Sequence, residues 1–211
     1  MEDAISLRGT RPRLLIEGSA PRFPRVYRGL LRDSTRVDVA LTRLRIATLR
    51  LESSDLRAVQ RLRIVLAELT TAAWEVETHR ALLNPRREPM LRALISGIQN
   101  GQLEVRAAPL ASWSPDFTVF HPEEGHSRAL LGPHWLEATP SSRGPRFGFL
   151  FSDREAMRVA DRFERVWAEA YDVGPAVGRM LGNTLAAIDR LTPFRDRSIV
   201  SAPQNLGNLP P

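Results

Sequence analysis

The sequence lacks features that would define several classes of protein. It has no cysteine, which excludes disulfide bonds, thiolate metal sites and cysteine nucleophiles. No uncharged apolar run approaches the roughly 18 residues of a transmembrane helix. The first residues, Met1 to Asp3, are acidic, whereas a signal peptide begins with basic and then apolar residues. These absences predict a cytoplasmic protein that does not span a membrane.

The chain also contains no lysine, because all 30 of its Lys and Arg residues are arginine. This absence excludes Schiff bases, P-loop lysines and every other phosphate site that depends on lysine. A GC-rich genome would be sufficient to cause the bias. Its chemical consequence remains, because guanidinium groups are planar, permanently charged and suited to bind phosphate and to stack on bases. With a net charge of +6, the arginines favour an anionic partner.

The apolar residues predict a chain in which strands and helices alternate. With 211 residues, of which 43% are hydrophobic, the sequence can form one well-packed domain with an appendage. Alternating apolar residues predict a strand near 37–41, and a second strand is expected at 63–66 after an intervening helix. Such an order predicts a parallel pair of strands. Helical spacing over 21–33 predicts an amphipathic helix with a basic side, and 14–16 is expected to be an edge strand.

Two polar stretches have the composition of helix starts. Residues 53–55 are expected to cap a helix, and 152–155 have the spacing of a capping box. The helix that follows Ser152 is expected to bury a stripe that includes Met157, Phe163 and Trp167. Both aromatic residues are interpreted as core residues and not as ligand contacts.

A glycine period marks the last predicted helix, which spans Gly174 to Leu191. Gly174, Gly178 and Gly182 recur every four residues and therefore line one flank, where close packing against a domain or a second subunit is expected. From Pro193 onwards the apolar periodicity is weak, and we expect a flexible tail.

Four strings of the sequence resemble one half of the phospholipase D superfamily. They are VDVAL at 37–41, LEVR at 103–106, FTVF at 117–120 with ALLG at 129–132, and FERVWAEA at 163–170. The resemblance extends from about Arg25 to Asp172. It implies an α/β fold in which a mixed central sheet is flanked by helices. We expect this domain at 1–172, a C-terminal helix at 173–192 as a candidate dimer contact, and the tail at 193–211. Because the resembled enzymes bring two halves together and this chain supplies one, the resemblance also implies a homodimer.

The motif that carries the family's chemistry is degraded in this sequence. In the resembled enzymes a histidine attacks phosphorus, a lysine two residues later binds phosphoryl oxygens, and an acidic residue and a Gly-Ser-x-Asn string follow. In the best alignment the His, Lys and Asp positions fall on Ser114, Asp116 and His121. The Gly-Ser-x-Asn string is replaced by Gly132 to Trp135. Only the glycine is kept, and Asp116 would repel phosphate. The resemblance therefore implies a catalytically inactive pseudoenzyme.

Three other catalytic or metal-binding arrangements are disfavoured. His126-Ser127-Arg128 offers an arginine as phosphate ligand, but it lies too close to Gly132 and lacks the following acid. A Ser-His-Asp triad built on Ser112 or Ser114 has no nucleophile-elbow string. No spacing makes the histidines converge with Glu123 and Glu124 into a metal site, and neither metal nor cofactor is expected. The histidines are His79, His121, His126 and His134.

Aromatic rings and arginines gather in the segments that bear the active site in the resembled family. Together they provide the base stacking and phosphate pairing that nonspecific nucleic-acid binding needs. We therefore predict an arginine-rich nucleic-acid-binding protein, with DNA favoured, that acts in genome maintenance or regulation. The predicted contact residues are Arg43, Arg45, Arg86, Arg87, Trp113, Arg128, His134, Arg143 and Arg146.

Other interpretations remain open. The tryptophans could fill the vacated pocket while the arginines are solvated. The protein could be an interaction scaffold whose C-terminal tail recruits a protein partner. It could also be a phosphodiesterase with unfamiliar active-site residues.

Overall fold

The computed structural model describes residues 12–16, 22–42, 52–67, 87–109, 116–132 and 147–199. These ranges contain eight strands and five helices. The strands are β1 (Arg13–Ile16), β2 (Ser34–Leu41), β3 (Arg61–Leu66), β4 (Leu103–Ala107), β5 (Phe117–Pro122), β6 (Arg128–Leu131), β7 (Phe147–Ser152) and β8 (Tyr171–Asp172). The helices are α1 (Arg22–Arg32), α2 (Ser53–Ala58), α3 (Glu88–Gln99), α4 (Asp153–Glu169) and α5 (Gly174–Ile199).

All of these strands belong to one mixed sheet, in the order β1-β7-β6-β5-β2-β3-β4-β8. Strands β2, β3 and β4 are parallel, as the sequence predicts for the first pair, and the remaining pairings are antiparallel. The run near 14–16 is an edge strand, as expected, and β5, β6 and β7 are neighbours. The predicted α/β class, with a mixed sheet flanked by helices and a C-terminal helix, is confirmed.

The two faces of the sheet are covered differently. Successive side chains in a strand point to opposite faces, so Val37 and Val39 lie on one face and Asp38 and Ala40 on the other. The first face packs against α1, α2, α3 and α5 and forms the larger apolar core. Among the described helices, only α4 covers the second face, through a smaller core centred on Phe163. Part of the second face therefore carries polar side chains.

The two ends of the sheet also differ. We call the carboxyl end the end where the parallel strands β2, β3 and β4 finish. The register places the start of β5, the end of β6, the start of β7 and the end of β1 at this same end. Each internal segment that falls between the described ranges therefore joins a strand at the carboxyl end. At the opposite, amino end, short described connections such as Asp33 and 100–102 join the elements.

The caps of α2 and α4 differ from the predictions. Glu52 is the N-cap of α2, and the backbone N–H of Glu52 donates a hydrogen bond to the carboxylate of Asp55 at 3.0 Å. Ser53 and Ser54 are already helical, because the capping pair lies one residue earlier than predicted. At α4, the Ser152 hydroxyl donates to the Asp153 carboxylate at 3.1 Å and caps no backbone N–H. Helix α4 therefore begins where the sequence predicts, with Ser152 as its N-cap, but the side-chain hydrogen bond of Ser152 in the predicted capping box is absent.

Met157 does not belong to the buried stripe of α4. Its side chain is 59% exposed, whereas Ala156, Phe163 and Trp167 are buried. Consecutive residues are about 100° apart around a helix, so the residue next to Ala156 points away from the sheet. Phe163 and Trp167 are core residues, as predicted.

Helix α5 extends beyond its predicted end. It runs to Ile199 and continues past Pro193, where the sequence predicts the start of a tail. A proline lacks only its own N–H, so a helix can continue past it with one hydrogen bond fewer. The glycine flank packs within the chain, because a Cβ on Gly178 would lie 3.4 Å from Ile98 of α3. A Cβ on Gly182 would meet nothing within 4 Å.

Candidate nucleic-acid interface

Most residues of the predicted interface fall outside the described ranges, in segments that join strands at the carboxyl end. Segment 43–51 follows β2, 68–86 follows β3, 110–115 connects β4 to β5, and 133–146 connects β6 to β7. The predicted residues outside the described ranges are Arg43, Arg45, Arg86, Trp113, Ser114, His134, Trp135, Arg143 and Arg146.

Arg87 and Arg128 are described, and they lie at opposite ends of the sheet. Arg87 directly precedes α3, which runs back towards the start of β4 at the amino end, so Arg87 lies towards the carboxyl end. Its guanidinium contacts the sulfur of Met90 at 3.9 Å. Arg128 begins β6 and pairs with Phe120 and Ser152 near the amino end. Arg128 therefore lies at the end of the sheet opposite to Arg87, since neighbouring antiparallel strands reverse direction.

Asp116 holds strand ends together at the carboxyl end. Its carboxylate accepts hydrogen bonds from the backbone N–H and, at 2.8 Å, from the hydroxyl of Thr42, which follows β2. Its backbone carbonyl accepts a hydrogen bond from Gly132 at 3.1 Å. Gly132 has φ +136°, which favours glycine at this position. Asp116 and Gly132, two of the degenerate motif positions, are thus in contact and help to join the ends of β2, β5 and β6.

His121 lies at the other end of β5. It comes five positions after Asp116, a distance of about 17 Å along an extended strand. The ring is held at both nitrogens: Nε2 lies 2.8 Å from a carboxylate oxygen of Asp38, and Nδ1 lies 3.0 Å from the hydroxyl of Ser127. The guanidinium of Arg36 lies 3.2 Å from Nε2. The alignment with the family motif therefore does not correspond to one reaction centre.

A buried ion pair lies next to His121 on the second face. Arg63 donates two hydrogen bonds to Asp38, each 2.7 Å long, and a third to Glu164 of α4 at 2.6 Å. Asp38 is 1% and Arg63 is 5% exposed, whereas the Glu164 side chain is 50% exposed. We call Arg36, Asp38, Arg63, His121 and Glu164 the ion-pair cluster. It joins β2, β3 and β5 to the only described helix on this face.

The ion-pair cluster keeps its carboxylates charged. Burial opposes ionisation of Asp38, but hydrogen bonds from His121 and Arg63 outweigh it and hold the pKa of Asp38 below its ordinary value. The hydrogen bond from Arg63 lowers the pKa of Glu164. Burial disfavours the charged form of Arg63, but its bonds to Asp38 and Glu164 raise the pKa above its ordinary value. These charges are therefore matched inside the protein.

Aromatic rings complete the packing around these charges. The Arg63 guanidinium lies 4.9 Å from the ring centroid of Phe163, and the Arg106 guanidinium lies 4.3 Å from that of Trp167. Arg106 also donates to the backbone carbonyl of Trp167 at 3.0 Å. The guanidinium groups of both arginines thus pack against aromatic residues of α4 and are not free to form a surface for an external anion.

Ser127, His121 and Asp38 are ordered like a nucleophile, a general base and an orienting acid. The carboxylate of Asp38 is already bonded twice to Arg63. The guanidinium of Arg36 lies 3.2 Å from Nε2 of His121, so the ring contacts a cation as well as the carboxylate. Sequence reasoning tested Ser112 and Ser114 and missed Ser127, because nothing in the local string reveals that β2 and β5 are neighbours. The signal present in the sequence is Asp38, a charged residue between the apolar Val37 and Val39.

Within the described ranges, no group of three His, Asp or Glu side chains is placed to hold a metal ion. None of the helices in the described part is long and apolar enough to cross a membrane.

The chain is structurally similar to proteins of the phospholipase D type. No protein-family model matches its sequence, and no curated protein matches it either. TrmBL2, an archaeal chromatin protein whose structure shows a novel mode of DNA binding, is 16% identical with a TM-score of 0.45. The match covers 80% of this chain and 57% of that one, so this chain spans little more than half of TrmBL2.

Two enzymes show comparable similarity. Nuc from Salmonella typhimurium, a phospholipase D family member, is 13% identical with a TM-score of 0.43, and the match covers 77% of this chain and 98% of Nuc. Phosphatidylserine synthase from Haemophilus influenzae is 11% identical with a TM-score of 0.47, and the match covers 90% of this chain and 46% of that one. The predicted resemblance and the match to Nuc, a phospholipase D family member, thus agree on the type of fold.

Proposed function

We propose that this protein is a noncatalytic nucleic-acid-binding protein, with DNA as the favoured partner, that acts as a homodimer in genome maintenance or regulation. The proposal rests chiefly on one observation: the strand ends next to the segments that contain most of the predicted contacts lie together at the carboxyl end of the sheet. Arg87 lies towards the same end. Residues that are far apart in sequence can therefore contribute to one surface.

The composition of these segments supports a polyanionic ligand. Segment 43–51 contains three arginines and no acidic residue. Trp113 and Trp135 belong to segments attached at the same end, and tryptophan rings provide stacking surfaces for bases. Arginine forks add phosphate contacts that do not depend on base sequence. This combination favours nucleic acid over a small anion.

Three observations support the absence of phosphodiesterase activity. The chain has no lysine to bind a phosphoryl group. Asp116, at the position where the resemblance implies that lysine, uses its carboxylate to bind Thr42. His121, the histidine of the aligned motif, has both ring nitrogens within hydrogen-bond distance of Asp38 and Ser127. A histidine held in this way has no free lone pair with which to attack phosphorus.

The homodimer remains a prediction from the resemblance. The resembled enzymes bring two halves together, and this chain resembles one half. Packing of Gly174 and Gly178 against α3 explains those glycines without a second subunit. Light scattering coupled to size-exclusion chromatography measures the oligomeric state directly. A monomer at micromolar concentration would overturn this part of the proposal, and nucleic-acid binding would then have to be explained by a single chain.

The binding proposal is tested by fluorescence anisotropy with a labelled DNA duplex at 50 and 200 mM salt. We expect affinity to fall steeply with salt, by about 0.9 in the log–log slope for each phosphate contact. Arg43→Gln combined with Arg45→Gln should reduce the slope by about 1.8 if both contact phosphate. The matched control, Arg158→Gln with Arg165→Gln on α4, should leave it unchanged. Binding that ignores salt, or no binding, would favour the protein-interaction scaffold.

The arrangement of Ser127, His121 and Asp38 favours one alternative, a hydrolase with unfamiliar active-site residues. It is tested with an activated phosphodiester, bis-p-nitrophenyl phosphate, and an activated ester, p-nitrophenyl acetate. We expect no turnover above buffer, because the Asp38 carboxylate that would orient His121 is already bonded twice to Arg63. Turnover that disappears in both Ser127→Ala and His121→Ala would establish the hydrolase instead.

A further inference from the structure

Helix α1 differs in charge from the other described helices. Of those five helices, only α1 contains no acidic residue, although it carries four arginines within 11 residues. Helices α2, α3, α4 and α5 each combine arginine with aspartate or glutamate. A row of cations with no acidic residue in the same helix disfavours the folded state through repulsion, so its ligand would have to be anionic.

The helix separates its apolar and charged residues cleanly. Tyr27, Leu30 and Leu31 are 6%, 5% and 1% exposed and pack into the larger core. Arg25 and Arg32 are exposed on the opposite side, seven residues apart. Residues seven apart are nearly two full turns apart and therefore lie on one side of a helix. Packing of the apolar side fixes the helix, and the arginine side faces solvent.

Partner carboxylates are scarce along this side. Arg28, which lies between the other two, forms an ion pair with Glu52. Within the described ranges no carboxylate forms an ion pair with Arg25 or Arg32. Arg92 on α3 is a useful contrast, because it is equally exposed but contacts both Glu88 and Asp189. The charges of Arg25 and Arg32 are thus available to an external anion, and that of Arg92 is not.

We propose that the arginine row of α1, formed by Arg25, Arg28 and Arg32, binds the phosphate backbone of a bound nucleic-acid duplex. Arg25 and Arg32 are about 10 Å apart along the helix axis, at 1.5 Å per residue. This spacing corresponds to about three phosphates of one DNA strand, at roughly 3.4 Å per phosphate along the axis. The row adds nonspecific contacts to those proposed at the carboxyl end, and it rests on that proposed function.

The position of α1 allows a second line of contacts with the same duplex. The segment 17–21 connects β1, which ends at the carboxyl end, to the start of α1. The helix finishes one residue before β2, which begins at the amino end. The row therefore leads from the carboxyl end along the flank of the first face. A duplex that contacts the carboxyl end can continue along this flank.

The test compares two double variants that remove the same charge. Arg25→Gln with Arg32→Gln removes two exposed arginines of α1, and Arg158→Gln with Arg165→Gln removes two exposed arginines of α4 with the same spacing of seven residues. Anisotropy with a labelled 20-base-pair duplex is measured between 50 and 200 mM salt. Circular dichroism and thermal unfolding confirm that both variants fold like the wild type.

We expect the α1 variant to lower the log–log salt slope by about 1.8, at about 0.9 per lost phosphate contact. Over a fourfold rise in salt its affinity then falls about tenfold less than that of the wild type. The α4 variant keeps the wild-type slope. Equal losses in both variants, or no loss in the α1 variant, would overturn the assignment of α1 and leave the proposed function intact. Failure of the wild type to bind any duplex would overturn both.

Discussion

Helices α1 and α4 cover opposite faces of the same sheet and carry four arginines each, yet their charges are arranged in opposite ways. In α4 the arginines alternate with five acidic residues along 17 positions. One of those acids, Glu164, reaches into the ion-pair cluster and bonds Arg63. In α1 the arginines have no acidic neighbour in the helix. On one face an acidic residue of the helix thus binds a buried arginine of the sheet, and on the other face the helix presents a positive surface.

This contrast shows why arginine content alone does not predict an anion-binding surface. What matters is the distribution of carboxylates around the arginines in three dimensions. Arg63 belongs to a strand and is buried by α4, and its charge is paired with those of Asp38 and Glu164. Arg25 is exposed on a helix that contributes no such partner. The predictions that follow test the two sides separately, beginning with the larger effects.

Asp38→Asn should have the largest effect on the α4 side. It leaves Arg63 buried without its main counter-charge, and breaking a buried pair in this way costs about 3–5 kcal/mol. Urea unfolding followed by circular dichroism measures the loss. Asp161→Asn, which changes an exposed carboxylate of α4, is the control and should shift stability by less than about 0.5 kcal/mol. Equal effects of the two variants would show that the ion-pair cluster is not needed for stability.

Leu31→Ala tests the apolar side of α1. Leu31 is 1% exposed, and removing a buried leucine side chain costs about 2–5 kcal/mol. We expect unchanged DNA affinity for the folded fraction, because the arginines lie on the other side of the helix. The measurement pairs urea unfolding with anisotropy at low temperature, where the variant is folded. A large loss of affinity at full folding would mean that the two sides of α1 do not act independently.

The free energy of unfolding should fall in acid because the carboxylates of the ion-pair cluster become protonated. The pKa values of Asp38 and Glu164 are lowered in the folded protein. Their contribution is therefore complete above the unfolded-state pKa values of about 3.9 and 4.3, and it is lost as pH falls through the lower folded values. Urea midpoints measured from pH 6 to pH 2.5 should decline below about pH 4. Asp38→Asn should show a shallower decline, and an identical profile would contradict this assignment.

Glu164→Gln should have the smallest effect. The side chain is 50% exposed, so solvent screens its ion pair with Arg63, and we expect a loss of at most about 1 kcal/mol. Arg63 keeps its two bonds to Asp38. Comparison with Asp38→Asn under the same urea protocol gives the relative weight of the two partners. A loss as large as that of Asp38→Asn would mean that α4 contributes as much to the cluster as the neighbouring strand.

The sequence predicts most of the fold because the pattern of apolar residues is regular. The alternation in 37–41 and the helical spacing in α1 each report burial on one side of a local element. The capping of α4 and the exposure of Met157 could not be predicted in this way, because they depend on where the helix crosses the sheet. The end of α5 was misjudged because a proline in a helix interior is disfavoured but not forbidden.

The candidate site was harder to predict than the fold. Asp116 and Gly132 form a hydrogen bond that the family alignment did not imply, since it requires the pairing of β5 with β6. The partnership of Asp38, Arg63 and His121 joins three strands, and no local pattern encodes it. A buried charge in a strand, such as Asp38, does indicate that a partner of opposite charge exists, but it does not identify that partner.

The unequal lengths of the connections at the two ends of the sheet have an evolutionary consequence. At the amino end the turns are as short as the single residue Asp33, so an insertion there would displace a strand from its register. At the carboxyl end the sequences between β3 and α3, and between β6 and β7, are long and can change in length or composition while the paired strands stay in place. Relatives of this protein can therefore diversify in what they recognise while they inherit an unchanged scaffold.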